Sequence, residues 1–410
     1  MSDLGSLRER IDTLDTTLVN LLNERAEVSL NIGAAKRKAT TSTEYVYNLT
    51  TLLSPFSLPF LIPNEQQEEE KEDVNNNVHY TFSDSSSKEL HVYMPGREKE
   101  VYKKLERLNQ GPLNHSSLHA IFREIMSASI ALQKDVTVAY LGPPGTFSHQ
   151  AAYERLGDSV AYVPVDQISA VFEAVEKKTT TYGLVPFENS TFGTVVETMD
   201  NFVKTSVRVR AETYLTVHQC LLSNSKMEKI TKVYSHPQGL GQTRRWLSTH
   251  LPNAQLIPVK STAEAAEQAA KEHDAAAVCS ELCSSLYNLE ILAKDIEDNS
   301  ANTTRFLMIG TSSDNATKDD HTLIHFTVDH RQPGALADGL KIFKDYDLNL
   351  FKIDSRPSGL RPWHYVFMVE CSGHFQHEPL QKAVKELEQF CLDVVVLGSF
   401  PNQRPQQQNE

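Results

Sequence analysis

The chain has 410 residues, 40% of them hydrophobic, and a formal net charge of −13. That length suits two or three domains, each able to bury a core. The acidity excludes a general binder of nucleic acid or of acidic membranes, while an anionic small molecule stays open as a substrate. The charge is uneven: residues 41–92 hold nine acidic and two basic side chains. Five cysteines without a CxxC point to free thiols in a reducing compartment and to no metal site. The N-terminal stretch has no secretory apolar region, and residues 45–63 are too short and too broken by proline to span a bilayer. A cytoplasmic location without a membrane partner is expected.

From Leu4 to Ala35 a seven-residue repeat reads Leu4, Ile11, Leu18, Arg25, Ile32 on one seam and Leu7, Leu14, Leu21, Val28, Ala35 on the other. It predicts a long helix over 4–38 that needs partner helices. Arg25 interrupts the stripe. A guanidinium there calls for an anion, either a carboxylate side chain or a ligand. Lys36 lies eleven residues on, within about 20° of the same face. Residues 41–92 combine prolines, a QQEEEKED run, NNN and SDSSS, the composition of a disordered insertion. Helical character resumes at about Arg97, where Arg97 and Glu98 open REKEVYKKLERL. A third helix is predicted over 116–134. Its stripe, Leu118, Phe122, Ile125, Ser129 and Leu132, again contains a polar residue. Ser129 and Gln133, four apart, share a face.

From Val136 the pattern changes. VTVAYLG, YGLVPF, KVYSHP, AAAVCS and TRFLMIG read as strands alternating with helices, one after Gly193 and one through TRRWLSTHL. This is α/β character. GPPGTFS and ENSTFGT each follow a strand and precede a helix, so both offer N–H groups to carboxylates. Neither GxGxxG nor GxxxxGK[ST] occurs, which argues against nucleotide binding, and no cofactor is expected. SSDNATKDD reads as a polar linker. The last part runs strand HTLIHFTVDH, helix PGALADGLKIFKDY with Pro333 near its first position, strands NLFKIDS and HYVFMVEC, helix PLQKAVKELEQF and strand LDVVVLG. That βαββαβ order is the ferredoxin-like split arrangement. The tail PNQRPQQQNE is expected to be disordered.

LRERIDTLDTTLVNLLNERAEVSLNIGAAK, the REKE helix and SASIALQ resemble the all-helical chorismate mutase of bifunctional chorismate mutase/prephenate dehydratases. The resemblance implies an intertwined dimer. Arg25, together with Arg8 of a second copy, would clamp the carboxylates of chorismate. Lys36 and Gln133 would donate to its ether oxygen, Glu98 would accept its hydroxyl, and Ser129 would help a carboxylate. Arg97 belongs to the same substrate-binding set. The rearrangement is unimolecular, so the site has to hold a compact conformer and stabilise charge growing on the ether oxygen, with no nucleophile or base. Two departures stand out. Met94, counted in the same set, occupies a place that is usually acidic, and the insertion falls between Lys36 and Arg97.

GPPGTFSHQAA, VPFENSTFGTV, YSHPQGLGQ and NTTRF resemble the prephenate dehydratase domain. This implies two α/β lobes around a cleft, like periplasmic binding proteins, and an essential Thr304 in the motif Thr304-Arg305-Phe306. Arg305 is expected either to hold the substrate carboxylate or to brace the loop. Phe306, Glu188, Asn189 and Gln242 are further cleft candidates. Gly334-Ala335-Leu336-Ala337 and Asp354-Ser355-Arg356-Pro357 resemble the GALA and ESRP motifs of the ACT domain, which bind phenylalanine between paired domains. Asp354 stands where the family has Glu.

The expected organisation is a helical domain over 1–135, a dehydratase domain over 136–312, an ACT domain over 320–401 and a tail over 402–410. The leading reading is a cofactor-free homodimer, or higher homo-oligomer, that converts chorismate through prephenate to phenylpyruvate under inhibition by L-phenylalanine. Two alternatives remain: a dehydratase whose helical module only dimerises, and a non-enzymatic phenylalanine sensor, against which the intact TRF motif argues.

Overall fold

The computed structural model describes residues 4–52, 92–359 and 362–405, and the chain divides into two compact units, residues 1–92 and 93–410. In the first, helix α1 runs from Leu4 to Leu52. The heptad seam drives it, and no proline interrupts it before Pro55. Residues 41–52 are therefore helical rather than part of a disordered insertion; the rest of that insertion, 53–91, lies outside the described residues. The seam is exposed: Leu4, Ile11, Leu14, Leu18 and Leu21 show between 52% and 62% of their surface. No described helix is long and apolar enough to cross a membrane.

The second unit opens with α2 (Pro95–Leu108) and α3 (His115–Ala131). Pro95 suits the first helical turn, where its missing N–H costs nothing. Asn114 caps α3 by accepting the Ser117 N–H. The helix ends before the predicted Lys134, so Gln133 lies beyond it, although its Nε2 still donates to the Ser129 carbonyl at 3.1 Å.

The first α/β lobe contains β1 (Thr137–Leu141), α4 (Phe147–Leu156), β2 (Ala161–Val165), α5 (Ile168–Glu176), β3 (Tyr182–Asn189), β4 (Gly193–Thr194), α6 (Val196–Phe202) and β5 (Arg208–Thr216). The second contains β6 (Cys220–Ser223), β7 (Lys232–Ser235), α7 (Pro237–Gln242), α8 (Arg244–His250), β8 (Gln255–Pro258), α9 (Thr262–Lys271), β9 (Ala275–Cys279), α10 (Leu282–Tyr287) and β10 (Glu290–Ala293). Strand β11 (Thr303–Gly310) then returns to the first lobe and enters its sheet between β3 and β5, giving the order β2-β1-β3-β11-β5. The second lobe has the order β10-β6-β9-β7-β8. The chain thus crosses between lobes twice. The crossings are tied together where the Val217 N–H donates to the Asn302 carbonyl at 2.8 Å and the Ile296 N–H to the Gln219 carbonyl at 3.0 Å.

The C-terminal part is β12 (Asp320–Thr327), α11 (Ala335–Asp345), β13 (Leu350–Pro357), β14 (Tyr365–Ser372), α12 (Glu378–Phe390) and β15 (Asp393–Pro401), with antiparallel order β13-β14-β12-β15. Alternation along its strands buries both faces. Ile324, Phe326 and Val369 pack under α11 and α12. Leu323, Met368, Leu397 and Phe400 join the core of the first lobe. Gly398 permits this docking, because a Cβ there would lie 2.3 Å from the Val209 carbonyl oxygen of β5. Pro333 precedes the helix rather than opening it, since the left-handed Gly334 is its cap.

Two segments read as loose from sequence are pinned. The expected linker holds Asp314, which accepts the Gly96 N–H at 2.9 Å and faces Arg210 at 3.5 Å. Arg210 is 1% exposed and also donates to the carbonyls of Tyr93 and Ser313. A buried guanidinium requires such acceptors. The tail begins ordered: the Gln403 N–H donates to Glu212 at 2.6 Å. Residues 406–410 lie outside the described set.

His325, buried on β12, leaves Nδ1 without a hydrogen-bond partner. Burial, with Arg208 adding to it, pushes its pKa down to about 4. Below pH 6.5 the unfolded chain takes up a proton that the folded chain refuses, so stability present above pH 6.5 is lost as pH falls toward 4. The loss approaches about 3 kcal/mol. Urea melts at pH 7 and pH 4.5 are expected to show a smaller drop for His325→Gln than for the wild type; equal drops would refute this.

Candidate active site

A cleft of about 1060 Å³ opens between the two α/β lobes. On one side, β1 ends in Gly142-Pro143-Pro144-Gly145. Both glycines are left-handed, and a Cβ would meet the Thr146 methyl at 2.9 Å or the Cys283 Sγ at 2.7 Å. This turn delivers Thr146 to cap α4 by accepting the His149 N–H, while its own hydroxyl donates to the Leu141 carbonyl at 3.1 Å. On the other side, Ser261 caps α9 by accepting the Glu264 N–H at 3.0 Å, and Glu264 takes the Lys260 N–H at 2.8 Å. Two ten-residue helices therefore present their N-termini to the cleft from opposite lobes. Each end carries unpaired N–H groups and partial positive charge, which suits a ligand with two carboxylates. Lys260 adds a cation to the cleft lining. Burial lowers the pKa of His236, which also lines the cleft.

Thr304 sits on β11 directly across from Asn189 on β3 and lines the cleft with it. The Asn189 Nδ2 donates to the Thr304 Oγ1 at 2.9 Å and to the Asn302 Oδ1 at 2.8 Å. Gln242 lines the same cavity, its Oε1 accepting from the Gln219 Nε2 at 2.9 Å.

The other three dehydratase candidates lie elsewhere. Arg305 follows Thr304 on a strand, so it points to the opposite face. There it forms a bidentate pair with Glu370 at 2.7 and 2.8 Å and meets Glu212 at 2.7 Å. The expectation that it holds a substrate carboxylate is corrected; it braces. Phe306 follows a register shift and is buried in the core. Glu188 turns to the Lys352 Nζ at 2.9 Å.

Of the residues expected around chorismate, α1 carries Arg8, which is exposed, and Arg25 and Lys36, which are half-buried. On α2, Arg97 is exposed and pairs with Glu100 at 3.0 Å. Met94 is the residue before α2, its Sδ 3.6 Å from the Arg210 Nη2. The Ser129 hydroxyl donates to the Ile125 carbonyl at 2.7 Å. Glu98 corrects a prediction. It is buried against Arg155 at 2.9 Å and accepts the Tyr93 hydroxyl at 2.9 Å, so its carboxylate is engaged rather than open to a substrate hydroxyl. Burial pushes its pKa up despite the opposing charge of Arg155.

In the C-terminal motifs, Gly334 caps α11, Ala335 is buried, Leu336 half-buried and Ala337 exposed. Asp354-Ser355-Arg356-Pro357 lies on β13 and alternates. Ser355 and Pro357 are exposed. Asp354 instead accepts the Thr194 hydroxyl at 3.1 Å and pairs with Lys352 at 2.9 Å, while Arg356 grips Asp200 at 2.6 and 2.9 Å. Half of the expected effector motif therefore holds the first lobe. Lys352 joins them: its Nζ reaches Glu188, Asp354 and, at 2.8 Å, the cleft-lining Thr194. The sequence did not single out Lys352, Asn302, Lys260 or the α9 terminus. The S-x-x-E spacing of Ser261 and Glu264 after a strand was the available signal for the last of these.

Residues 138–314 match the family model for prephenate dehydratase and residues 7–134 that for chorismate mutase type II. The bifunctional chorismate mutase/prephenate dehydratase of Aquifex aeolicus is 38% identical, covering 98% of each chain. The solved structure of a prephenate dehydratase from Arthrobacter aurescens in complex with L-Phe is 30% identical with a TM-score of 0.60, covering 65% of this chain and 90% of that one. GqqA, a novel type of quorum quenching acylase, shares the fold at 25% identity and a TM-score of 0.60, over 65% of this chain and 98% of that one. The fold alone thus does not fix the chemistry. Identity sustained along the whole chain, through both matched regions and the cleft that holds Thr304, does: the chain belongs to the bifunctional chorismate mutase/prephenate dehydratase family and carries both activities, rearranging chorismate to prephenate and converting prephenate to phenylpyruvate.

Proposed function

We propose that prephenate binds in the inter-lobe cleft with one carboxylate toward each helix N-terminus and its ring hydroxyl at Thr304. The observation that carries this is the placement of Thr304 in a cavity flanked by two such termini. The bond from the ring to its carboxylate breaks, CO2 leaves, and the electron pair aromatises the ring. The carbon–oxygen bond opens and the hydroxyl departs as water with one added proton. Thr304 hydrogen-bonds that leaving group, and aromatisation supplies the driving force. Gln242 and Lys260 hold the pyruvyl end.

For the first reaction, Arg8, Arg25 and Lys36 of α1 supply the cations that hold chorismate compact. The exposed apolar seam of α1 supports a homodimer. Sedimentation at micromolar concentration giving 46.1 kDa, the mass of one chain, would refute it. The domains are 1–135, 136–312 and 320–401.

The C-terminal part is a ferredoxin-like ACT domain that binds L-phenylalanine. Its βαββαβ topology supports this, as does the L-Phe complex of the Arthrobacter relative. The Lys352 cluster joins β13 to the cleft wall and supports inhibition by coupling. Phenylalanine titrated against each reaction separately is expected to lower prephenate turnover more than chorismate turnover. Equal sensitivity, or none, sinks the regulatory reading.

A further inference from the structure

Asn189 can be oriented in one way only. Its Oδ1 receives the backbone N–H groups of Thr191 and Phe192, each at 2.9 Å. Backbone amides donate and never accept, so the opposite end of the side chain has to be the NH2. That NH2 has two hydrogens. One goes to the Asn302 Oδ1 and the other to the Thr304 Oγ1. Thr304 is therefore an acceptor toward β3. A hydroxyl that accepts from its neighbour keeps its own proton for another partner, and Thr304 lines the cleft.

We infer that Asn189 is a positioning residue that fixes the polarity of the Thr304 hydroxyl, turning its proton toward the substrate, and that Asn302 braces Asn189 in that orientation. The inference rests on the reading of Thr304 as the donor to the leaving hydroxyl. The arrangement is preorganised: two backbone amides, set by the turn after β3, decide which way the catalytic hydrogen bond points before substrate arrives.

The decisive comparison is Asn189→Asp against Asn302→Asp. Both add one negative charge at neighbouring positions of the cleft wall, so their effects on binding a dianion are alike. They differ in one respect. In Asn302→Asp the new carboxylate still accepts from Asn189. In Asn189→Asp the new carboxylate has no hydrogen to give Thr304 and draws the hydroxyl proton to itself. Asn189→Asp is expected to lower kcat for prephenate by about 100-fold at pH 8, and Asn302→Asp by less than about tenfold, with similar KM values for the two. On acidification a protonated aspartate regains a donor, so the Asn189→Asp rate should recover relative to wild type toward pH 5. The ionisable groups lining the same cleft are Asp166, His236, Lys260, Glu264 and Glu267, with Glu188, Lys352 and Asp354 beyond Thr194. All are common to both variants, so the ratio of the two pH profiles cancels them. Chorismate turnover on the same preparations reports folding. Equal kcat losses for the two variants, or parallel pH profiles, overturn the inference. Thr304→Ala, measured alongside, separates the failures: if it keeps full prephenate turnover, the reading of Thr304 falls, and this inference falls with it.

Discussion

Thr304→Val is expected to cut prephenate turnover by about 10²–10⁴-fold, the range for a positioned proton donor. Valine keeps the volume and the β-branch that strand β11 accepts, so the backbone register opposite Asn189 stays. What disappears is one hydroxyl. The Asn189 NH2 then faces a methyl group, which costs about 1 kcal/mol of stability and leaves the chain folded. The donor acts on a hydroxyl that becomes basic only as it leaves, so kcat should fall while KM changes little. Chorismate turnover should remain within about twofold, because the cations proposed for it lie on α1 and not on β11. Stopped assays with each substrate decide the matter. Wild-type prephenate turnover in the valine variant would remove Thr304 from the mechanism.

What the sequence disclosed divides along a physical line. Features set by neighbours in the chain were readable. The period-2 strands of the βαββαβ unit are one case, the Gly142–Gly145 turn before α4 another. Thr304 and Asn189 belong here too, since each sits in a contiguous motif. Features set by partners far along the chain were not. Arg305 looked equally suited to a substrate or a brace, and only Glu212 and Glu370, brought together by sheet docking, decide between them. Glu98 gave no hint of Arg155. Ser312–Asp314 read as a linker because polar composition normally means solvent, and a single buried guanidinium, Arg210, reversed that. Asp354 and Arg356 carried a motif known by its sequence alone. Strand alternation then turned them toward Thr194 and Asp200, and left Ser355 and Pro357 outside.

Arg305→Met should destabilise the second unit by about 3–5 kcal/mol, the usual cost of removing one partner from a buried ionic cluster. The substitution nearly conserves length and fills the space, so the loss is electrostatic. Glu370 would keep His321 at 2.7 Å, and Glu212 would keep the Tyr214 hydroxyl and the Gln403 N–H, but two carboxylates would share a site that has lost its cation. The cluster lies between β11 of the first lobe and β14 of the C-terminal part, so both should unfold together in urea. The acid response should shift as well. Burial pushes the Glu370 carboxyl up, yet the His321 hydrogen bond and the Arg305 charge outweigh it and hold it at about 2. Its contribution to stability is therefore present above the unfolded pKa, near 4.5, and is lost progressively as pH falls from there through about 2. Without Arg305 that carboxyl rises toward its unfolded value, so this part of the acid loss ends at higher pH and becomes smaller. Arg305→Lys tests geometry separately from charge: one ammonium cannot make the fork to Glu370 and reach Glu212 at once, so part of the stability should go while KM for prephenate stays within about twofold. A tenfold rise in KM with unchanged urea midpoints would instead return Arg305 to the cleft as a substrate contact.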